Sequence, residues 1–222
     1  MKYGVIVLSY WNDLYDHFDK LNSILAYKNN VPIKFVFNHT TQSKTLLPCD
    51  MFFQTSIGYP QCLLTMLEKF IWAWKQLKEL PEWKACDYII RANSSTFLNH
   101  TVLQQYINKL PITECFAGHI MFNEFISGTC MIFSKDVLNK LEQRFTENYP
   151  IRYRDHDDCI IRDLLKDINK IDMEWGIFDK NIQPPDNDID KALEYPIIRI
   201  RNDLSRKEID TWIWNKLFEK TI

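Results

Sequence analysis

Three short stretches of the 222-residue chain carry side chains of a kind and spacing that could do chemistry. The first is Asn93-Ser94-Ser95-Thr96, small hydrogen-bonding residues that follow directly on the apolar run 87–92. A strand that ends this way presents donors and acceptors at its carboxyl edge, where open α/β sheets bind ligands. The same residue types favour turns and N-caps, so capping of the next helix is the competing explanation. The second stretch is Asp157-Asp158, ahead of the helical pattern Ile160, Ile161, Leu164, Leu165 and Ile168. Carboxylates at a helix start offset its dipole, and one within reach of a substrate hydroxyl would serve as a general base. The third is Arg199-Ile200-Arg201. Alternation along a strand puts both guanidinium groups on one face, a geometry that grips a diphosphate, although such charges also blunt an exposed edge strand. Phe125-Ile126-Ser127-Gly128-Thr129 adds a glycine at the start of an apolar strand, which marks either a close approach of backbone or ligand or a simple bulge.

The elements that must position these groups follow from periodicity. Residues 3–8 are continuously apolar, as suits a strand buried on both faces of a parallel sheet, and run straight into Ser9, Tyr10 and Trp11. Asn12 or Asp13 can cap a helix with the apolar face Leu14, Phe18, Leu21 and Leu25. A strand over 33–37 comes next, so strand, helix, strand opens the chain with a right-handed parallel crossover expected. A third strand is expected over 50–53, and a helix over about 61–79, closed by Pro81, carries the stripe Leu63, Leu67, Phe70, Trp74 and Leu77. Lys69 and Trp72 lie off that stripe and read as solvated or half-buried surface, with contact to a ligand the lesser alternative for Lys69. Asn99 is placed to cap a helix near 101–109, two strands follow over 115–120 and 128–133, and Ser134 is placed to cap a helix carrying Val137, Leu138 and Leu141. Residues 171–190 read as loop, 197–201 as a last strand, and Ser205-Arg206-Lys207-Glu208 as a capping box for a final helix with Ile209, Ile213 and Leu217.

Composition narrows the class. A hydrophobic share of 46% and an aromatic share of 14% describe one packed domain, not a disordered chain. A net charge of −2 and a pI near 6.2 leave no electrostatic footprint for nucleic acid or an anionic membrane. The first apolar segment is too short to span a bilayer and lacks a signal peptide's cleavage region, so a cytoplasmic protein beginning at or near Met1 is expected. Cys49, Cys62, Cys86, Cys115, Cys130 and Cys159 are scattered, with no zinc spacing, and read as buried free thiols. The Asn-x-Ser/Thr triplets at Asn38, Asn93 and Asn99 read as chance in that compartment. With 5 glycines and no phosphate loop, a nucleotidyltransferase ranks low.

Taken in order, the pieces resemble the GT-A glycosyltransferases, in particular the pattern shared by the β-1,3-galactosyltransferase/fringe group and the core-2 N-acetylglucosaminyltransferases. The residues that carry the resemblance are Ser9-Tyr10-Trp11 after the first strand, Tyr88-Ile89-Ile90-Arg91 after the long helix, Ser127-Gly128-Thr129, the Ser-Lys-Asp at Ser134, and Asp157-Asp158. The resemblance implies an α/β, Rossmann-like fold with a mixed, mostly parallel central sheet flanked by helices. Residues 1–110 would form the nucleotide-sugar half of a single domain and 111–222 the acceptor and catalytic half. It implies glycan biosynthesis by transfer from a nucleoside-diphosphate sugar, a UDP-sugar first, to a hydroxyl of a glycan, lipid-linked glycan or protein, with inversion.

Under that resemblance Ser9, Tyr10, Trp11, Arg91, Asn93, Ser94, Ser95, Arg199 and Arg201 bind the donor, with Arg206 or Lys207 as helpers. Asp158, or Asp157 beside it, is the base, and Ser127, Gly128 and Trp175 face the acceptor. Metal-dependent members carry Asp-x-Asp where this chain has Asn93-Ser94-Ser95. Neutral oxygens suit Mg²⁺ or Mn²⁺ poorly, so no cofactor and no metal ligand is expected unless distant acids such as Asp50 or Asp155 supply one. The rival from another class is a catalytically inactive sugar- or nucleotide-binding module on the same fold.

Overall fold

The computed structural model describes residues 1–10, 12–38, 50–53, 63–148 and 156–222. The amino-terminal apolar run forms β1 (Tyr3–Leu8), every residue of it buried. Val5 and Val7 enter one core and Ile6 and Leu8 another, as alternation requires of a strand covered on both faces. The chain continues through α1 (Asp13–Lys28), β2 (Ile33–Asn38), β3 (Asp50–Phe53), α2 (Leu63–Leu77), the single turn α3 (Pro81–Lys84), β4 (Tyr88–Asn93) and β5 (Thr96–Leu98). Next come α4 (His100–Ile107), β6 (Phe116–Met121), β7 (Phe125–Ser134), α5 (Lys135–Glu147), α6 (Asp157–Leu164), β8 (Lys170–Asp172) and β9 (Gly176–Phe178). Finally α7 (Asp186–Ala192), β10 (Ile197–Ile200), a π-helical turn (Arg206–Asp210) and α8 (Thr211–Thr221) complete the chain.

The central sheet has seven strands in the order β3-β2-β1-β4-β7-β6-β8. β7 runs against both of its neighbours and the other pairings are parallel, which is the expected mixed, mostly parallel sheet. Helices α2, α5 and α6 build the core on one face, from Phe70, Trp74, Val137, Leu141 and Ile161. On the other face lie α4 and a second sheet, ordered β5-β10-β9. Phe18 of α1 and Trp214 of α8 stack at 4.8 Å and cover that second sheet, with Phe97 edge-on at 5.2 Å.

Several expectations change. The turn after β4 does not cap a helix but leads into β5, while Asn99 caps α4 as expected, its Oδ1 accepting from the Val102 N–H at 3.4 Å. Ser134 sits at the cap position of α5 but spends its hydroxyl on the Cys115 N–H (2.9 Å). Residues 171–190 are not simply loop, for they hold part of β8, all of β9 and the start of α7. β10 lies in the middle of its sheet, which removes the edge-strand explanation of Arg199 and Arg201. The capping box at 205–208 does not form. Asp210 instead takes both the backbone and side-chain N–H of Asn202 (3.1 and 2.7 Å), and the turn widens to π geometry around it.

Cys86, Cys115 and Cys130 are buried free thiols, and burial pushes Cys115 up to about 12; Cys49 and Cys62 lie outside the described residues. No helix among the described residues is long and apolar enough to cross a membrane.

Between the two sheets, the Tyr3 hydroxyl and His100 Nδ1 are hydrogen-bonded at 2.8 Å. Burial lowers the imidazole from 6.5 to about 4, so the folded protein resists a proton that the unfolded chain accepts. Stability from this site is fully present above pH 6.5 and declines as the pH falls towards 4, by on the order of 3 kcal/mol. Urea unfolding at pH 7 and pH 4.5 should show wild type losing that increment and His100→Gln losing much less of it.

Candidate functional site

Leu8 pairs with Asn93, so β1 and β4 end side by side. The chain turns out of the sheet at both ends, leaving a cleft of about 280 Å³. Ser9, Tyr10, Tyr15, Met66, Lys69, Asn93, Ser94, Ser95, Arg201 and Arg206 line it. Three of these are cations, and none of the lining side chains among the described residues is a carboxylate. A larger hollow of about 670 Å³ lies against α2 and α5, but Lys78 and Glu142 close a salt bridge across it (2.9 Å) and its charges are mixed in sign.

Hydrogen bonds make the cleft floor rigid. Ser9 Oγ donates to Asp19 at 2.6 Å and accepts from Ser94 Oγ at 2.8 Å, so the hydroxyls of both lining serines are tied to protein partners. Asn93 Oδ1 is buried with no partner among the described residues, an acceptor ready for a ligand hydroxyl or amide. Tyr10, 52% exposed, stands at the rim. On the far side Arg206 donates to the Tyr15 hydroxyl (2.8 Å) and to Asp210 (3.1 Å), while its Nη2 has no partner among the described residues. Arg201 reaches Asp203 at 2.9 Å from a half-exposed position. Such a pair is weak enough to yield to a better anion.

Lys69 overturns the surface reading of its position. It is only 2% exposed, its Nζ donating to the main-chain carbonyls of Ser9 (3.2 Å) and Val36 (3.5 Å). Burial lowers its amine to about 8; the charge of Arg91 acts in the same direction and Asp157 opposes it.

Arg91 also differs from expectation. It is only 1% exposed, with its guanidinium turned to protein partners. Its Nη2 forms an ion pair with Asp157, and its Nη1 donates to the Gly128 carbonyl (3.0 Å). Gly128 is therefore a point of close approach: a Cβ there would lie 3.0 Å from Arg91 Nη1 and 3.6 Å from Asp158 Oδ2. Asp157 is thus committed to structure. Asp158 keeps a freer carboxylate, with Oδ1 accepting from the Cys159 N–H (3.0 Å) and Oδ2 from the Gly128 N–H at a loose 3.4 Å. Arg91 and Asn93 share a face of β4, so this acidic pair sits one step down the strand from the cleft.

The remaining predicted residues divide. Ser127 is buried and bonds Thr129. Trp175 stacks on His119 at 4.3 Å, and the Arg199 guanidinium lies 5.6 Å from the same ring. Arg199 therefore does not line the cleft that Arg201 lines, because Arg201 lies just past the end of β10 where alternation no longer holds. Lys207 is exposed and away from the cleft. Trp11 and Asp155 lie outside the described residues. A divalent cation fits this lining poorly. The oxygens offered are neutral, three positive side chains face the same space, and no group of three or more His, Cys, Asp or Glu gathers among the described residues.

No family model and no curated protein matches the sequence. Solved structures do match. A glycosyltransferase involved in glycosylation of the major capsid of PBCV-1 is similar with a TM-score of 0.55 at 9% identity, over 95% of this chain and 98% of that one. The galactosyltransferase LgtC, solved with donor and acceptor sugar analogs, gives 0.53 at 11% identity over 98% and 95%. GlyE of Streptococcus pneumoniae gives 0.52 at 11% identity, over 99% of this chain and 61% of that one. The fold is thus the α/β architecture of the GT-A glycosyltransferases.

A buried ion pair that loses one member leaves an uncompensated charge, costing about 3–5 kcal/mol, whereas replacing both members costs far less. In denaturant unfolding, Arg91→Met should fall in that range, and Arg91→Met with Asp157→Leu should recover much of the loss.

Proposed function

We propose that this chain transfers a sugar from a nucleoside-diphosphate donor to an acceptor hydroxyl. The observation that carries the reading is the cleft at the carboxyl ends of β1 and β4, lined by cations and neutral polar groups with no acid among the described residues, on this fold. A diphosphate supplies the negative charge that such a lining lacks. Arg201 and Arg206 take the phosphates, the latter with an Nη2 that has no partner among the described residues. Asn93 Oδ1 and Ser95 meet ribose or donor-sugar hydroxyls, and Tyr10 borders the base, with UDP the first nucleotide to try. Arg199, held beside Trp175, adds long-range positive charge and does not touch the donor.

The acceptor oxygen attacks the anomeric carbon while the bond to the diphosphate breaks. The hydroxyl proton passes to the Asp158 carboxylate, and the charge growing on the leaving diphosphate is met by the two guanidinium groups. Direct attack inverts the sugar carbon. The ion pair of Asp157 with Arg91 favours Asp158 as the base. The acceptor, a glycan, lipid-linked glycan or protein, approaches past Ser127 and Gly128. Trp175 would offer it a ring edge, because His119 covers one face.

Calorimetric titration with UDP, GDP and dTDP, in EDTA and then with Mn²⁺, should give binding of one diphosphate in EDTA. Asp158→Asn should keep that affinity and lose about 10²–10⁴-fold in donor turnover. Binding that requires Mn²⁺ would overturn the metal-independent assignment. Diphosphate binding with no turnover, indifferent to Asp158→Asn, would identify a binding module.

A further inference from the structure

Lys69 is a buried cation that the transfer scheme above leaves unused. It sits on α2 one turn from Met66, so both side chains face the cleft where β1 ends. Its ammonium has three N–H donors, and its two hydrogen bonds among the described residues, at 3.2 and 3.5 Å, both go to neutral main-chain carbonyls. No carboxylate forms an ion pair with it among the described residues. The nearest acid to act on it, Asp157, is occupied by Arg91. Strand-end carbonyls need no full charge to satisfy them. A neutral donor or water would do so without the desolvation that a buried ammonium incurs. A lysine at such a position is explained if an anion completes its coordination. The cleft it lines already holds Arg201 and Arg206 on the opposite side.

We propose that Lys69 is a phosphate-binding residue: held by the carbonyls of Ser9 and Val36, it donates its third N–H to a phosphoryl oxygen of the nucleoside diphosphate. This rests on the donor site proposed above and adds to it the deep wall of that site. The two arginines grip the diphosphate from the open side, and Lys69 meets it from the sheet side, where Ser9 and Asn93 mark the strand ends. Burial, more than the Arg91 charge, brings the amine to about 8. The amine is then charged at neutral pH, and an arriving anion finds it short of favourable partners.

The test separates ligand binding from support of the strands. Lys69→Met keeps the length and removes the charge. If Lys69 binds phosphate, the variant should melt at or above the wild-type temperature, since an unpaired buried charge has been removed. It should also bind both UDP and inorganic pyrophosphate about tenfold or more weakly, the loss expected for one charge-assisted hydrogen bond. If Lys69 only supports the strand ends, the variant should melt lower and bind both ligands as wild type does, which would overturn the proposal. Should the Met variant fail to fold, Lys69→Gln keeps a donor for the carbonyls without charge. Wild-type affinity in that variant would overturn the assignment, and weakened affinity with an unchanged melting temperature would support it. Wild-type protein that binds neither UDP nor pyrophosphate would overturn the donor site itself. Wild-type binding equalled by the variants would overturn only the role of Lys69.

Discussion

The guanidinium of Arg91 lies at the middle of the central sheet, almost without solvent, where a charge without partners is costly. Three elements meet it: β4 carries it, β7 supplies the Gly128 carbonyl, and α6 supplies Asp157. The partners determine one another. Only a residue without a side chain lets the β7 backbone come within hydrogen-bond distance of the guanidinium, and only when α6 starts at that point does Asp157 reach it. The next residue along α6, Asp158, is thereby held against the β7 backbone with its carboxylate not otherwise paired with a cation among the described residues. A structural ion pair and a chemically available acid thus come from adjacent positions, one immobilising the other.

The second constraint is geometric. β1 and β4 are in register to their last residues, so their exits coincide. β5 leaves from that point to pair with β10, and β10 in turn delivers residues 201–206 back to the same place. The cleft is therefore assembled from segments almost two hundred residues apart, with its floor from the first half of the chain and its two arginines from the end. The second sheet, sealed by the Phe18–Trp214 stack, is the strut that keeps the two sides at a fixed separation. Positive groups brought together in this way repel one another, a strain that a bound anion relieves.

Much of the framework is legible in the residues read in order. Continuous apolar runs announce the buried strands, and 3.6-residue periodicity announces α1, α2 and α5, because both signals are local consequences of one face or two being covered. The β4 exit, the acidic pair and the paired arginines are also visible, since small polar residues and clustered charges stand out against an apolar background. Less legible is depth. Lys69 falls off the apolar stripe of α2 and looks solvated, yet α2 packs over the strand ends and its polar edge turns inward there. Arg91 in an apolar strand looks like a ligand-binding arginine, when its depth and the gap at Gly128 make it structural. The short strands and helix within 170–192 leave weak periodic signal because each is only a few residues long.

What the sequence determined by itself is therefore the kind and order of the elements, with their buried faces, because these follow from contacts between residues a few positions apart. The tertiary structure decided which polar groups are committed to one another and which remain available. Asp157 and Asp158 are the same residue type at successive positions, and only the third-dimension arrival of Arg91 separates them. Arg199 and Arg201 differ likewise, one drawn to Trp175 and the other left at the cleft. Charge is a long-range quantity whose worth depends on burial and partners, and neither is encoded at the residue that carries it.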